Sequence, residues 1–415
     1  MTISNYLSLD TLNVSLNFGD TLIPVGRLAY KNRRIYFEYD RDFLDRNLAI
    51  SPFMLPLKEG LHEGNAALFE GLPGVFNDSL PDGWGRLLLD RLLRSKGFSI
   101  GDFTPLDRLA YIGAHGMGAL SYEPDYSQTS DESLLNLDKL AEESRHVLAG
   151  ESSDVLEELL RLGGSSAGAR PKATIGLSHD KQSIIEGTAR CTADYEPWMV
   201  KFANSMDGAD AGAVEYVYSQ MARMGGINMP ETYLFPAKEG AGYFAIKRFD
   251  RNAVGKRQHM HTACGLLHSD FRTPSLDYED LIKLTMSLTR DMRAAQAIYR
   301  LAVFNVLSHN RDDHSKNFSY LMDEYGAWTL APAYDLTYSS GPRGEQSTMV
   351  AGEGKNSTTA HLLKLAAHAD LKQNEAISII DQVREALCQW NKLAANAGVT
   401  KEMMATIHET IESTA

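Results

Sequence analysis

The chain has 415 residues, 43% of them hydrophobic, and a formal net charge of −13 at pH 7. That length supports two or three domains with sizeable cores. The acidic balance argues against a broad nucleic-acid-binding surface on this chain alone. No apolar run approaches the ~18 residues that a membrane helix needs. The start Met1-Thr2-Ile3-Ser4-Asn5 lacks the basic and apolar segments of a signal peptide. Cys191, Cys264 and Cys388 are few and far apart, which points to a reducing, cytoplasmic setting without a zinc site.

In chain order, residues from about 10 to 60 read as strand-rich, with runs at Val25 to Tyr30 and Ile35 to Tyr39 around Lys31-Asn32-Arg33-Arg34. Asp82 to Lys96 reads as a helix, with Trp84, Leu87, Leu88 and Leu92 clustered and Gly97 as its stop. Gly113, Gly116 and Gly118 predict a structural bend. The polar stretch Asp125 to Ser133 marks a domain boundary, and residues 134 to 160 read as helical. Strands are expected from about 170 to 250 and helices from about 277 onward. His259, His261 and His268 cluster without a ligand spacing and are read as surface or loop residues. Gly341 to Thr359 is rich in Gly, Ser, Thr and charge, and reads as a mobile loop in the place of an activation or substrate loop.

The chemistry concentrates in two strings, Asp312-Asp313-His314-Ser315-Lys316-Asn317 and Ala333-Tyr334-Asp335-Leu336. An acid five positions before an asparagine, followed by a second acid, is the spacing that kinases use for a catalytic Asp and two metal ligands. Phosphoryl transfer builds negative charge on phosphate oxygens. Mg²⁺ neutralises it, and Mg²⁺ takes hard oxygen ligands such as Asp and Asn. Ile298, Leu301, Ala302 and Val306 predict a helix running into this loop. Phe318 to Met322 and Ala327 to Leu330 predict a hairpin between the two strings. Such residues also dominate solvated turns, so the strings alone leave both readings open.

Upstream, Gly163-Gly164-Ser165-Ser166-Ala167-Gly168-Ala169-Arg170-Pro171-Lys172 offers small residues that let a backbone approach phosphate. It is not a P-loop, since Ala169 stands where Lys is required, and G-x-G-x-x-G is absent. A flexible linker would share its composition. Lys201 sits within the apolar run Trp198 to Ala203, where phosphate would give its ammonium a partner; an edge-strand lysine is the alternative. Val214, Val217, Tyr218, Met221 and Met224 predict an amphipathic helix ended by Gly225-Gly226. Glu215 beside that stripe is either a surface residue or the partner of Lys201. Tyr243 to Arg251 reads as a strand ending in charge, where a linker between two lobes would line an adenine pocket.

With this order of motifs, and with Asn77-Asp78-Ser79-Leu80-Pro81-Asp82-Gly83-Trp84-Gly85-Arg86 near the amino terminus, the chain resembles the HipA family of bacterial toxin kinases. The resemblance spans about residues 15 to 390. It implies an α+β fold: a protein-kinase-like two-lobed core, with a mixed β/α upper lobe and a mainly helical lower lobe, preceded by a small β/α amino-terminal domain. The corresponding segments are 1–125, 134–250 and 251–415. The resemblance makes Asp312 the catalytic base, the spacing to Asn317 favouring it over Asp313. Asn317 and Asp335 match Mg²⁺ ligands. Lys201 matches the ATP-binding lysine, and Ala167, Gly168, Ala169, Arg170, Pro171 and Lys172 match the phosphate loop. Lys247, Arg248 and Phe249 match the adenine-side linker, and His314, Ser315, Lys316, Asn317 and Tyr334 the nucleotide-contacting region. Ser165 matches an autophosphorylated serine, with Ser166 beside it as the alternative.

The function so implied is ATP- and Mg²⁺-dependent phosphorylation of a protein serine or threonine by the toxin of a toxin–antitoxin module. A translation factor such as an aminoacyl-tRNA synthetase is a candidate substrate. A HipB-like helix-turn-helix antitoxin is the expected partner and would supply most contacts to DNA. A non-catalytic, nucleotide- and antitoxin-binding co-repressor is one rival. A small-molecule phosphotransferase is the other.

Overall fold

A computed structural model describes residues 8–127, 134–151, 156–163, 168–187, 194–204 and 207–414. Among these, the strands form four sheets. The first contains β1 (Thr11–Asn17), β2 (Leu22–Lys31), β3 (Arg34–Tyr39), β4 (Leu61–Glu63) and β5 (Leu120–Glu123), in the order β4-β3-β2-β1-β5. Alternation decides its faces. Leu12, Val14 and Leu16 point inward, with Leu28, Ile35 and Phe37 from the neighbouring strands. Asn32 and Arg33 close the β2–β3 hairpin in the left-handed region, φ 53° and 61°, the geometry that matches strand twist in a two-residue turn. The helix Pro105–Ile112 covers this sheet with Leu106 and Leu109.

The second sheet contains β6 (Lys172–Ser178), β7 (Ile184–Glu186), β8 (Tyr195–Lys201), β9 (Thr232–Phe235) and β10 (Tyr243–Lys247), in the order β7-β6-β8-β10-β9. Its pairings are antiparallel throughout. Ala173, Ile175, Trp198 and Val200 form a buried core with Trp84, Leu88 and Leu92 of the helix Gly83–Ser95. Packing therefore crosses the expected segment boundaries: a helix from the first 125 residues belongs to the core of the second sheet. Another helix, Ala211–Met224, turns its stripe the other way. Val214, Val217, Tyr218 and Met221 join the large core built by the helices Tyr278–Thr289, Met292–Leu307, Thr359–Ala366 and Gln373–Leu387.

The remaining strands are β11 (His259–Thr262), β12 (Leu276–Asp277), β13 (Ser319–Met322), β14 (Trp328–Leu330) and β15 (Thr348–Met349). β13 and β14 are the antiparallel hairpin expected between the two polar strings. Two expectations are corrected here. His259 and His261 are not surface residues; both are fully buried on β11. Strand alternation puts them on one face, and each finds polar partners. His259 Nε2 lies 2.8 Å from the Ile50 carbonyl. His261 lies 2.6 Å from the Asp78 carboxylate and 2.9 Å from the Ser51 hydroxyl. His268 is half-buried, and its Nε2 accepts from the Gly74 N–H at 3.1 Å.

The second correction concerns residues 341–359. β15 pairs in parallel with β12, and Gln346, Ser347, Thr348 and Val350 are buried. The hydroxyl and amide side chains that read as loop composition are instead spent on satisfying Asp313 and the backbone around it. Thr348 Oγ1 donates to the Asp313 carbonyl at 2.5 Å, and Ser347 Oγ to the Arg311 carbonyl at 3.0 Å.

Candidate active site

A cavity of about 950 Å³ lies between the second sheet and the helical half of the molecule. Sheet register brings two lysines to its wall, because Lys172 on β6 stands opposite Lys201 on β8. Lys201 Nζ donates to Glu215 Oε1 and to Asp335 Oδ1, each at 2.5 Å. Glu215 is thus not a surface residue: its side chain is 2% exposed, and its other oxygen accepts from Arg170 at 3.1 Å. Arg170 also pairs with Asp207 at 2.8 Å. The pairing explains how a lysine can sit in an apolar strand. Burial alone would lower the Lys201 pKa, but Asp335 and Glu215 outweigh it and raise it. At Lys172 the nearby carboxylates Asp335, Asp82 and Glu215 do not outweigh the desolvation. Burial, reinforced by Lys201, pushes its pKa down to about 8.

Asp335 follows the β13–β14 hairpin and adopts the left-handed conformation, φ 58°. A β-carbon makes that region costly, so the surrounding structure has to impose it. Burial opposes its charge, yet Lys201, Lys172 and Arg170 hold its carboxyl well below the usual range. Asp335 is therefore a fixed anion beside the lysines.

The helix Met292–Leu307 delivers the other string, as its periodicity predicts. Beyond it, a single 3-10 turn at Ser315–Asn317 folds the chain back. The five-residue spacing acquires a physical meaning here: Asn317 Nδ2 donates to the Asp312 carbonyl at 2.8 Å, which ties the two ends of the loop together. Asp312 lines the cavity and stays open to solvent. Partial desolvation raises its carboxyl pKa, and Asp335 adds to this; His314, Arg170 and Lys201 pull the other way. Asp313 is fully buried and does not line the cavity.

Tyr334 fixes the loop from behind, donating to the Lys316 carbonyl at 2.5 Å and lying 2.6 Å from the Ser319 hydroxyl. Its ring packs against Phe249, with centroids 5.5 Å apart. Ser315 Oγ donates to the Ser269 carbonyl at 3.0 Å. Lys316 Nζ donates to Asp82 at 2.8 Å and lies over the Phe271 ring. The linker Lys247-Arg248-Phe249 borders the same cavity. Its two cationic side chains are committed elsewhere: Lys247 pairs with Glu196 at 2.5 Å and Arg248 with Asp250 at 2.6 Å.

The structure thus brings Gly168, Ala169, Arg170, Lys172, Lys201, Asp312, His314, Lys316, Asn317, Tyr334 and Asp335 around one cavity. Pro171 is not among its lining residues, and its carbonyl accepts from the Phe202 N–H at 2.8 Å. Ser165, Ser166 and Ala167 lie outside the described residues. Asp82, Asp207 and Phe271 also reach the cavity and were not assigned from sequence. Only Asp82 carried a signal, the Pro-Asp-Gly turn before a helix.

Two family models match the chain, the HipA N-terminal domain over residues 16–123 and the HipA-like C-terminal domain over residues 164–391. The chain belongs to the HipA family. Among curated relatives, the serine/threonine-protein kinase toxin HipA of Shewanella oneidensis is 24% identical over 354 residues, covering 79% of this chain and 75% of the relative. Among solved structures, a chain from the Shewanella oneidensis MR-1 toxin–antitoxin complex of HipA, HipB and operator DNA aligns with a TM-score of 0.69. The alignment covers 96% of each chain at 17% identity. The likeness shows the HipA fold: a kinase-like two-lobed core behind an amino-terminal β/α region, with the cavity between the lobes. Among the described residues, no helix is long and apolar enough to cross a membrane.

Proposed function

We propose that this HipA-family chain is an ATP-dependent serine/threonine-protein kinase and the toxin half of a toxin–antitoxin pair. The observation that carries the reading is Lys201, joined at once to Glu215 and Asp335 inside the cavity that Asp312 and Asn317 border. A kinase needs this set of groups, and a co-repressor that only binds nucleotide has no use for an open, partly desolvated carboxyl at Asp312.

The residues fit ATP and Mg²⁺. Met199, Val214, Ile246 and Phe249 line an apolar part of the cavity suited to a base, and Lys172, Lys201 and Arg170 cluster where phosphates would be neutralised. Asn317 and Asp335 would hold Mg²⁺. Among the described residues no three His, Cys, Asp or Glu side chains form a metal cage. That suits Mg²⁺, which keeps water and phosphate oxygens among its ligands. When bound, Mg²⁺ supplies neutralisation of the charge on the transferring phosphoryl group.

Asp312 accepts the proton of the attacking serine or threonine hydroxyl as its oxygen bonds to the γ-phosphorus and the bond to the β-phosphate oxygen breaks. Its raised pKa brings its basicity closer to that task. Lys201, positioned by Glu215, holds the phosphates in line. The relative's name supports a protein substrate, and a translation factor such as an aminoacyl-tRNA synthetase is a candidate. The HipA–HipB–operator complex supports a HipB-like antitoxin and DNA as partners. A net charge of −13 fits an antitoxin that carries most of the DNA contact.

The test is incubation with labelled ATP and Mg²⁺, followed by mass spectrometry of Ser165 and Ser166. The active protein should carry phosphate on Ser165, or failing that Ser166, and Asp312→Asn should carry none. A phosphoserine adds about −1.5 to −2 charge and would repel the ATP phosphates, so ATP affinity should fall with modification. Equal phosphate on the inactive variant, or no transfer to any serine or threonine, would overturn the reading.

A further inference from the structure

Asp82 belongs to the amino-terminal region, yet its two carboxylate oxygens are spent on the cavity. Oδ1 accepts the backbone N–H of Gly168, and Oδ2 accepts Lys316 Nζ at 2.8 Å. Two residues on, the Trp84 N–H donates to the Gly168 carbonyl at 3.1 Å. Both backbone polar groups of Gly168 are thereby held by one turn. Between them, Gly83 has φ 40°, and a β-carbon there would lie 2.6 Å from Ala169 Cα and 2.7 Å from the Gly168 carbonyl oxygen. The turn and the loop touch backbone to backbone, which only glycine allows. The contact is also rigidly mounted, since Trp84 is buried in the core of the second sheet. Asp82 and Lys316 are themselves 13% and 7% exposed at their side chains.

We propose that the turn Pro81-Asp82-Gly83-Trp84 is a positioning clamp by which the amino-terminal region sets the place of the phosphate loop and of Lys316. Asp82 acts through Gly168 and Lys316 rather than on a reacting atom, so it is a positioning residue. Its carboxyl is kept ionised although burial disfavours the charge, because Lys316 and the Gly168 N–H outweigh the desolvation. The effect of the clamp on turnover rests on the kinase reading above; its effect on the loop does not.

The test uses the full-length protein with Asp82→Asn and Asp82→Ala. Hydrogen exchange of the Gly168 amide reads the loop, and ATP titrations of transfer read KM and kcat separately. Asp82→Ala removes both contacts. It should speed Gly168 exchange about tenfold or more, the size expected for losing a charge-assisted hydrogen bond, and raise KM for ATP. Asp82→Asn keeps an acceptor for Gly168 and loses the charge facing Lys316. It should leave Gly168 protected and lower kcat about tenfold or more. Combining Asp82→Asn with Lys316→Met should cost no more than Lys316→Met alone. The clamp is refuted if both variants keep wild-type exchange, KM and kcat. It is also refuted if exchange rises uniformly over the chain with a matching loss of thermal stability, which would mark Asp82 as a general brace. If the wild-type protein transfers no phosphate, the kinase reading fails, and Gly168 exchange still decides the clamp.

Discussion

Asp312 lines the central cavity, while its neighbour Asp313 is enclosed and receives four donors: the Tyr278 hydroxyl at 2.7 Å, the Gln346 amide at 3.0 Å, and the Ser347 and Thr348 N–H groups at 2.9 and 3.1 Å. Of two adjacent carboxylates, one thus faces the cavity and the other is spent on architecture. Asp313 anchors residues 346–348 beneath the loop that presents Asp312.

This division predicts different failures. Asp312→Asn should fold normally and lose phosphoryl transfer by about a hundredfold or more, the range of a missing general base. Asp313→Asn replaces an acceptor by an amide that repels the Gln346 N–H₂. It should cost about 1–3 kcal/mol of stability while some transfer survives in the folded fraction. Thermal unfolding and labelled-ATP assays on both variants check the pair. Loss of stability in Asp312→Asn, with Asp313→Asn unaffected, would reverse the assignment.

The buried Lys201–Glu215–Arg170 cluster predicts that the two ends of the ion pair are not equivalent. Lys201→Ala should weaken ATP binding about tenfold or more, because a desolvated ammonium–phosphate contact is lost. Glu215→Ala leaves two cations in a buried setting without their shared partner. It should therefore lower stability by about 3 kcal/mol as well as activity. ATP titration and urea unfolding distinguish these outcomes. An edge-strand lysine and a surface glutamate would change neither.

Spacing and periodicity made much of the site legible. The helix into Asp312, the hairpin before Asp335 and the strand carrying Lys201 follow from local patterns of apolar and turn residues. Glu215 could be noticed but not decided, because a helix position does not say what lies opposite it. The Pro-Asp-Gly turn marks Asp82 only as a helix start and not as a site residue, since its partners Gly168 and Lys316 stand 86 and 234 positions away. His259 and His261 were misread for the same reason: the carbonyl and carboxylate that make burial tolerable come from Ile50 and Asp78. Residues 341–359 look like a loop by composition, but Gln346, Ser347 and Thr348 within them turn inward to Asp313.

His259 predicts a specific acid sensitivity. Burial, and then neighbouring His261, pushes its pKa down to about 3 from the ordinary 6.5, so it is neutral in the fold. The unfolded chain takes up a proton between these values and the folded chain does not. This contribution to stability is complete above about pH 6.5 and is lost as the pH falls toward 3, by at most ~5 kcal/mol. His259→Gln can still donate to the Ile50 carbonyl but does not titrate. Urea midpoints for parent and variant at about pH 7 and about pH 4.5 should diverge, the parent losing more on acidification. Parallel losses would show that other groups govern the acid response.

The joint between the amino-terminal region and the core predicts the largest single loss of stability. Asp250 is fully buried and accepts from Arg248 at 2.6 and 2.9 Å, from Arg251 at 3.3 Å and from the Gly118 N–H at 2.8 Å. Arg251 in turn donates to the Gly116 carbonyl at 2.6 Å, and nearby Arg257 to the Ala114 carbonyl at 2.7 Å. The bend at Gly113 to Gly118 is therefore held by one carboxylate among three guanidinium groups. Burial and the proximity of Arg248 already depress the Arg251 pKa to about 9. Removing the anion would leave Arg248 and Arg251 without the carboxylate they share, beside a third cation at Arg257. Asp250→Ala should thus cost about 3–5 kcal/mol, the usual penalty for orphaning a buried charge. Asp250→Asn retains an acceptor for Gly118 and should cost less. Denaturant unfolding gives the totals, and protease cleavage near residues 113–118 reports whether the bend is the part released. A cost below about 1 kcal/mol for Asp250→Ala would mean that solvent reaches this joint and screens its charges.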